Sequence, residues 1–170
     1  MHTRAVTALA FAGTLAVPTA ASGSATPQPF HDVQTTIDTG IDFYPCFEGI
    51  VGNGMTTDVI DGHFTPNDNG FHFAGVIHRE HTLAYEDGTH VLGHVVQHIS
   101  FNATRNGITT DTEPSQEEAT IYSADNSVLG RIHAFELFHA TYVDANGNGE
   151  PDPGEFTVAL DRVSTRPTCP

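Results

Sequence analysis

The stretch from residue 144 to residue 155 concentrates side chains that carry oxygen, and it reads D-A-N-G-N-G-E-P-D-P-G-E. Carboxylates and carboxamides occupy alternate residues at its start, and glycines lie between them. Hard cations such as calcium bind six to eight oxygens of this kind at about 2.3 to 2.6 Å. The alternative is an ordinary polar turn, since Asn, Asp, Gly and Pro are all turn formers. A turn alone gives no reason for a glutamate at the twelfth position.

The spacing of these residues resembles the twelve-residue calcium loop of the EF-hand type, and it agrees with that pattern at every defined position. The resemblance implies that side chains at positions 1, 3 and 5 surround the ion, and that Gly149 makes the sharp turn. It also implies a backbone carbonyl ligand at position 7, a carboxylate at position 9 and a bidentate glutamate at position 12. Calcium is therefore the expected cofactor, with the ligands Asp144, Asn146, Asn148, Glu150, Asp152 and Glu155.

The residues on either side of this loop predict strands and not the helices of an EF-hand. E-L-F-H-A-T-Y-V before the loop and F-T-V-A-L-D-R-V after it show the alternation of strands. Pro151 occupies position 8, where paired EF-hands exchange backbone hydrogen bonds that proline cannot donate. We therefore expect one loop that joins two strands and fixes structure, because calcium outside cells is abundant enough to fill a weak site.

Histidine is the second residue type that could do chemistry, with eleven in 170 residues and no lysine. Asp87-Gly88 predicts a two-residue hairpin turn, so that the numbers of paired residues sum to 175. His81 then faces His94, with His98 on the same face and Arg79 nearby. Facing imidazoles can bind zinc or copper, or act as acids and bases inside a cavity. The alternative is that histidine fills ordinary polar strand positions, since the sequence offers no third ligand.

No catalytic motif accompanies these histidines. The sequence contains no G-x-S-x-G, no Gly-rich phosphate loop and no Cys–His signature. No catalytic residue is therefore predicted, and a non-enzymatic function is favoured over an enzyme.

Cys46 and Cys169 are the two cysteines, and we predict that they form a disulfide. Residues 1–21 have the layout of a secretory signal peptide, with Arg4, an apolar run and then small residues. A membrane-spanning helix would need about 20 apolar residues, and this run is shorter. An exported, extracellular chain meets an oxidising compartment. Closing a loop of more than about 100 residues would stabilise the fold by about 4 to 5 kcal/mol.

The charge of the chain excludes two classes of partner. Asp and Glu number 21 against six Arg, and the formal net charge is −15. Such a chain repels phosphate backbones and anionic lipid, so we expect no nucleic-acid partner, no membrane-surface function and no membrane insertion of the mature chain. Divalent cations are the partners that this acidity favours.

The remaining sequence predicts a single all-β domain at 31–170, preceded by a disordered leader at 22–30. Tight turns between successive strands indicate an antiparallel meander. Because the strands are long, a lipocalin-like or allene-oxide-cyclase-like barrel is the first choice and a sandwich the second. The eight candidate strands are 31–38, 41–50, 54–65, 70–86, 89–105, 108–123, 127–143 and 155–166.

The predicted pairing about Asp87-Gly88 distributes apolar residues over both faces of the hairpin. One face would carry Phe73 and Ile77 beside Leu92, and the other Val76 beside Val91. The pattern leaves open which of the two faces points inward.

Taken together, the Ala-rich signal, the cysteine near each end, the long meander and the 144–155 loop resemble the secreted β-proteins of actinomycete-type bacteria. That resemblance implies export and fold class and implies no activity. The primary hypothesis is a non-enzymatic, calcium-stabilised binding or surface module. The alternative is an enzyme or small-ligand carrier that uses Arg79, His81, His94 and His98 inside a barrel. Convergence of these side chains in a cavity would favour the alternative.

Overall fold

The computed structural model describes residues 26–41, 52–104, 108–145 and 155–169. These residues form seven strands that lie in one sheet in sequence order, and each strand pairs antiparallel with the next. The predicted all-β antiparallel meander is confirmed. No helix that could cross a membrane occurs in these ranges. The strands are β1 (Gln28–Ile41), β2 (Gly52–Asn67), β3 (Gly70–Tyr85), β4 (His90–Thr104), β5 (Ile108–Tyr122), β6 (Val128–Val143) and β7 (Phe156–Thr168).

The sheet is not closed into a barrel. Within the described residues, β1 and β7 are its edges and make no contact with each other. The barrel predicted from the sequence is therefore not confirmed. The second of the eight candidate strands, at 41–50, lies outside the described residues except for Ile41. The predicted signal peptide at 1–21 lies outside them entirely. Strand β1 begins at Gln28, so regular structure extends into the segment predicted as a disordered leader.

The turn between β3 and β4 has three residues, where the sequence predicted two. The Tyr85 N–H donates to the Thr89 carbonyl at 2.9 Å, and the Gly88 N–H donates to the Tyr85 carbonyl at 3.1 Å. Gly88 has a φ of +84°, which glycine adopts without strain. This is a type I turn followed by a left-handed residue, and it makes paired numbers sum to 174, as in Leu83 opposite Val91. The predicted register was wrong by one residue.

A slip of one residue moves every side chain of a strand to the other face of the sheet. In the observed register, Val91, Ile99 and Phe101 join Phe73 and Ile77 on one face. We call this the inner face, and the opposite face, which carries His78 and His94, the outer face. The inner face holds the largest fully buried side chains, which are Phe73, Ile60, Ile77, Ile121, Ile132 and Val91.

The inner face contains two separate apolar clusters. One lies on β3 to β6 and comprises Leu83, Tyr85, Val91, Ala119, Ile121 and Ile132. The other comprises Ile60, Phe73, Ile77 and Ile99, with Phe30, Phe64 and Phe101 packed against it. A single sheet can bury side chains on one face only by twisting and curling toward that face. The polar residues described next lie between the two clusters.

Candidate functional site

The structure divides the four residues of the predicted histidine site between the two faces. Arg79 and His81 lie on the inner face, whereas His94 and His98 lie on the outer face. His81 is opposite Gly93, and His94 is opposite Glu80. The prediction that His81 and His94 are cross-strand neighbours was therefore wrong, because the additional turn residue shifts β4 by one position.

Arg79 forms a bidentate ion pair with Asp58, its direct cross-strand neighbour on β2. Nε donates to Oδ1 at 2.7 Å and Nη2 donates to Oδ2 at 2.8 Å. Among the described residues, Asp58 is the one charged residue that is buried. The hydrogen bonds to Asp58 raise the pKa of Arg79 above its ordinary value, while burial opposes this and the charges of Asp58 and Glu117 reinforce it. The guanidinium is therefore a fixed cation on the inner face.

The His81 side chain spans the width of β4 to reach β5. Its Nε2 lies 3.3 Å from Oε1 of Glu117, and both side chains are largely buried. Gly93 makes this contact possible, since a Cβ at that position would lie 2.1 Å from Nε2 of His81. The imidazole thus occupies the space that any other residue at position 93 would fill.

Glu113 holds a proton at neutral pH. Burial is the main cause that raises its pKa to about 8, and a hydrogen bond to Asp111, together with the charge of that carboxylate, adds to the effect. Nε2 of Gln97 donates to Oε2 of Glu113 at 2.6 Å, which opposes the rise. Oδ1 of Asp111 is buried and accepts no hydrogen bond from the described residues.

We call Asp58, Arg79, His81, Glu113 and Glu117 the inner polar cluster. It combines a fixed cation, a carboxylic acid that keeps its proton near pH 7, and an imidazole in contact with a carboxylate. Such a set can orient a polar group of a ligand and exchange a proton with it. The apolar clusters on either side could contact the rest of a small molecule.

Three members of the inner polar cluster, Asp58, Glu113 and Glu117, were missed in the sequence. A signal for Glu117 was present, because it alternates with Ala119 and Ile121 and so shares their face. The sequence pattern could not identify that face as the inner one while the register of β4 was wrong.

The predicted calcium loop is described only at its ends, Asp144, Ala145 and Glu155. The Val143 N–H donates to the Glu155 carbonyl at 3.0 Å, and the Ala145 N–H donates to Oε1 of Glu155 at 2.8 Å. The hairpin of β6 and β7 therefore brings the first and twelfth positions of the loop together. The other four predicted ligands, Asn146, Asn148, Glu150 and Asp152, lie outside the described residues.

Two further predictions concern metal ligands and the cysteines. The described ranges contain no group of three His, Cys, Asp or Glu residues placed to hold a metal ion. Cys169 follows the end of β7, and no described cysteine is free. Cys46 lies outside the described residues, so the disulfide stays a prediction.

Histidines are strongly segregated between the faces of the sheet. Of the ten described histidines, His81 alone lies on the inner face. Some outer-face imidazoles have partners: Nδ1 of His31 lies 2.7 Å from Oδ1 of Asp61, and Nδ1 of His139 lies 2.8 Å from Oγ1 of Thr112. The outer-face histidines are His31, His63, His72, His78, His90, His94, His98, His133 and His139.

Comparison with protein-family models, with curated proteins and with solved structures gives no match to this chain.

Proposed function

We propose that this chain is an exported β domain, stabilised by calcium at the 144–155 loop, that acts as a non-enzymatic binding or surface module. The observation that carries the proposal is the position of Glu155. Its carboxylate accepts a hydrogen bond from Ala145 at the start of the loop, at 2.8 Å. A bidentate glutamate at position 12 must lie close to position 1 to share an ion with it.

The carboxylates of the loop give a physical reason for cation binding. Asp144, Glu150, Asp152 and Glu155 all fall within twelve residues, and this stretch contains no basic side chain. Closing the hairpin brings Asp144 and Glu155 together, and like charges at short distance repel. A bound divalent cation would remove that repulsion and stabilise the folded state by mass action, since the unfolded chain cannot assemble the ligands.

The test is thermal unfolding of the wild-type protein in calcium and then in excess chelator. We expect the melting temperature to fall by several degrees when calcium is removed, because binding at 100 times the Kd contributes about 2.7 kcal/mol. Magnesium should replace calcium poorly, since its octahedral shell does not suit a bidentate glutamate.

Two variants make this test specific. Glu155→Gln should lose the response to calcium, whereas Glu86→Gln, which removes a charge from the exposed turn after β3, should keep it. Equal melting temperatures of the wild type in calcium and in chelator would show that the loop is only a turn.

The second candidate is a small-ligand carrier or an enzyme that uses the inner face. The observation in its favour is the inner polar cluster, in which the Arg79–Asp58 and His81–Glu117 pairs lie between two apolar clusters. Buried charged groups cost stability, so a cluster of them often marks a functional site.

A screen of small molecules by thermal shift would test this second candidate. A true ligand should stabilise the wild type and should fail to stabilise His81→Gln or Arg79→Met. The candidate would be rejected if every stabilising compound acted equally on the wild type and both variants.

A further inference from the structure

The two faces of the sheet carry opposite kinds of titratable residue. Nine of the ten described histidines lie on the outer face. Carboxylates show the reverse distribution. Of the strand carboxylates whose side chains are described, seven lie on the inner face and three on the outer face. The inner-face carboxylates are Asp32, Asp58, Asp111, Glu113, Glu117, Glu136 and Asp161.

Solvation alone does not explain this distribution. An exposed sheet face ordinarily takes Lys, Glu, Asp and Arg, which are the residues that water solvates best. Here the exposed face takes histidine, and most strand carboxylates lie on the face that contains the core. Histidine differs from the other polar residues in one property, which is a charge that changes between pH 5 and 8. We take this property as the reason that histidines occupy the outer face.

The charged groups that face these histidines come from every strand except β1 and β4. The carboxylates Asp61, Glu80 and Glu118 are balanced by Arg131, Arg162 and Arg166, and Tyr122 is the further titratable group. The face is therefore close to neutral while its histidines are neutral. Acidification makes it positive, since protons added to imidazoles have no further carboxylates on that face to neutralise them.

The middle of the outer face brings three histidines together. His78 lies between His94 and His98 on the neighbouring strand, and it faces Val96. The rings of His78 and His94 are stacked, with centroids 6.1 Å apart and an angle of 20° between the planes. Two charged imidazoles at this distance repel each other, and an anion placed above them would remove the repulsion.

Apolar side chains are exposed among the histidines. Ile37 is 75% exposed and Met55 49% exposed on strands β1 and β2. A dissolved anionic polymer gains little from contact with such groups, whereas the interface of a bilayer accepts them. The exposed large apolar side chains within the strands of this face are Val33, Ile37, Met55, Leu92, Val128, Phe135, Val143 and Leu160.

We infer that the outer face is a docking surface for anionic lipid bilayers, and that it binds them in mildly acidic solution. This inference rests on the proposed surface-module function and names the surface bound. At neutral pH the net charge of −15 repels such a bilayer. Protonated histidines turn the outer face toward the lipid, with the carboxylates of the inner face pointing away from it.

Vesicle sedimentation provides the test, with phosphatidylcholine vesicles and with vesicles that also contain about 30% phosphatidylglycerol. Each cationic side chain at an anionic surface contributes about five-fold in affinity. We therefore expect binding to the anionic vesicles to rise about 100-fold or more between pH 7.5 and pH 5.0, as three or more histidines become charged. Binding to the neutral vesicles should stay weak at both pH values.

Two triple variants at His78, His94 and His98 isolate the histidine charge. Substitution of all three by Gln should lower the affinity at pH 5.0 by about 100-fold. Substitution of all three by Arg should give binding that is already present at pH 7.5. Circular dichroism at both pH values checks that each variant is folded, and the two variants test the inference independently.

Several results would overturn the inference. These are equal binding to neutral and anionic vesicles, full binding by the Gln variant, and binding of soluble polyphosphate without binding of vesicles, which would assign the face to a dissolved polymer. Measuring vesicle binding and the calcium dependence of the melting temperature on the same protein keeps the two proposals apart. If vesicle binding fails while the melting temperature still depends on calcium, only the docking inference is overturned. If the calcium dependence fails while vesicle binding persists, only the calcium proposal is overturned.

Discussion

Replacing Glu113 by Gln should make the protein more stable at pH 8 and leave it unchanged at pH 4.5. The pKa of Glu113 is about 8 in the folded chain, against an ordinary value of 4.5, chiefly because the carboxyl is buried. Below pH 4.5 the folded and unfolded chains both hold this proton, so its stabilising contribution is complete. As the pH rises toward 8, the unfolded chain releases the proton while the folded chain must keep it, and stability falls.

The magnitude follows from the difference between the two pKa values. At 1.36 kcal/mol for each pKa unit, the loss approaches about 4 to 5 kcal/mol at high pH. The cluster is partly exposed to solvent, and we therefore expect about 2 kcal/mol. Gln has the shape of the protonated acid, and it can still donate to Asp111 and accept from Gln97. The gain at pH 8 should raise the melting temperature by about 5 °C for a chain of this size.

The assay is thermal unfolding of the wild type and of Glu113→Gln at pH 4.5, 6 and 8. Glu118→Gln is the matched control, because it removes a carboxylate of the same strand from the exposed outer face. It should not change the pH dependence. The reasoning would be refuted if Glu113→Gln lowered stability at pH 8, or if it changed stability equally at all three pH values.

Three further substitutions test the inner face by thermal or urea unfolding. Gly93→Ala should cost about 1 to 3 kcal/mol, because the new methyl group overlaps the His81 ring, and the cost should shrink in a His81→Ala background. Asp58→Ala should cost about 2 to 3 kcal/mol by leaving Arg79 without its bidentate partner, and an unchanged stability would contradict the buried-pair interpretation. Ile77→Ala should cost about 3 to 4 kcal/mol, whereas Val33→Ala on the exposed part of β1 should cost little.

The sequence predicted the strands and their order because alternation and turn residues are local signals. It failed at the β3–β4 turn. Asp87-Gly88 can form the whole of a two-residue loop, and it fits the last two positions of a three-residue loop equally well. Only the left-handed conformation at Gly88 and the hydrogen bond from the Tyr85 N–H to the Thr89 carbonyl distinguish the two. That single residue decided the face on which β4 places each side chain.

The same error explains what was missed at the candidate site. His81 was paired with His94, so its contact with Glu117 on β5 could not be predicted. That contact depends on the absence of a side chain at Gly93, and periodicity gives no information about a long side chain that crosses a neighbouring strand. The β6–β7 hairpin places the two ends of the 144–155 loop side by side. Calcium binding by the loop stays a prediction, because four of its six predicted ligands lie outside the described residues.

Calorimetric titration of the protein with calcium tests the central claim most directly, since it measures binding itself. We expect one calcium ion per chain for the wild type, and strongly weakened binding for Glu155→Gln, because the twelfth position supplies two of the ligand oxygens. Absence of a binding isotherm for the wild-type protein, or an isotherm unchanged in Glu155→Gln, would contradict the proposed calcium site.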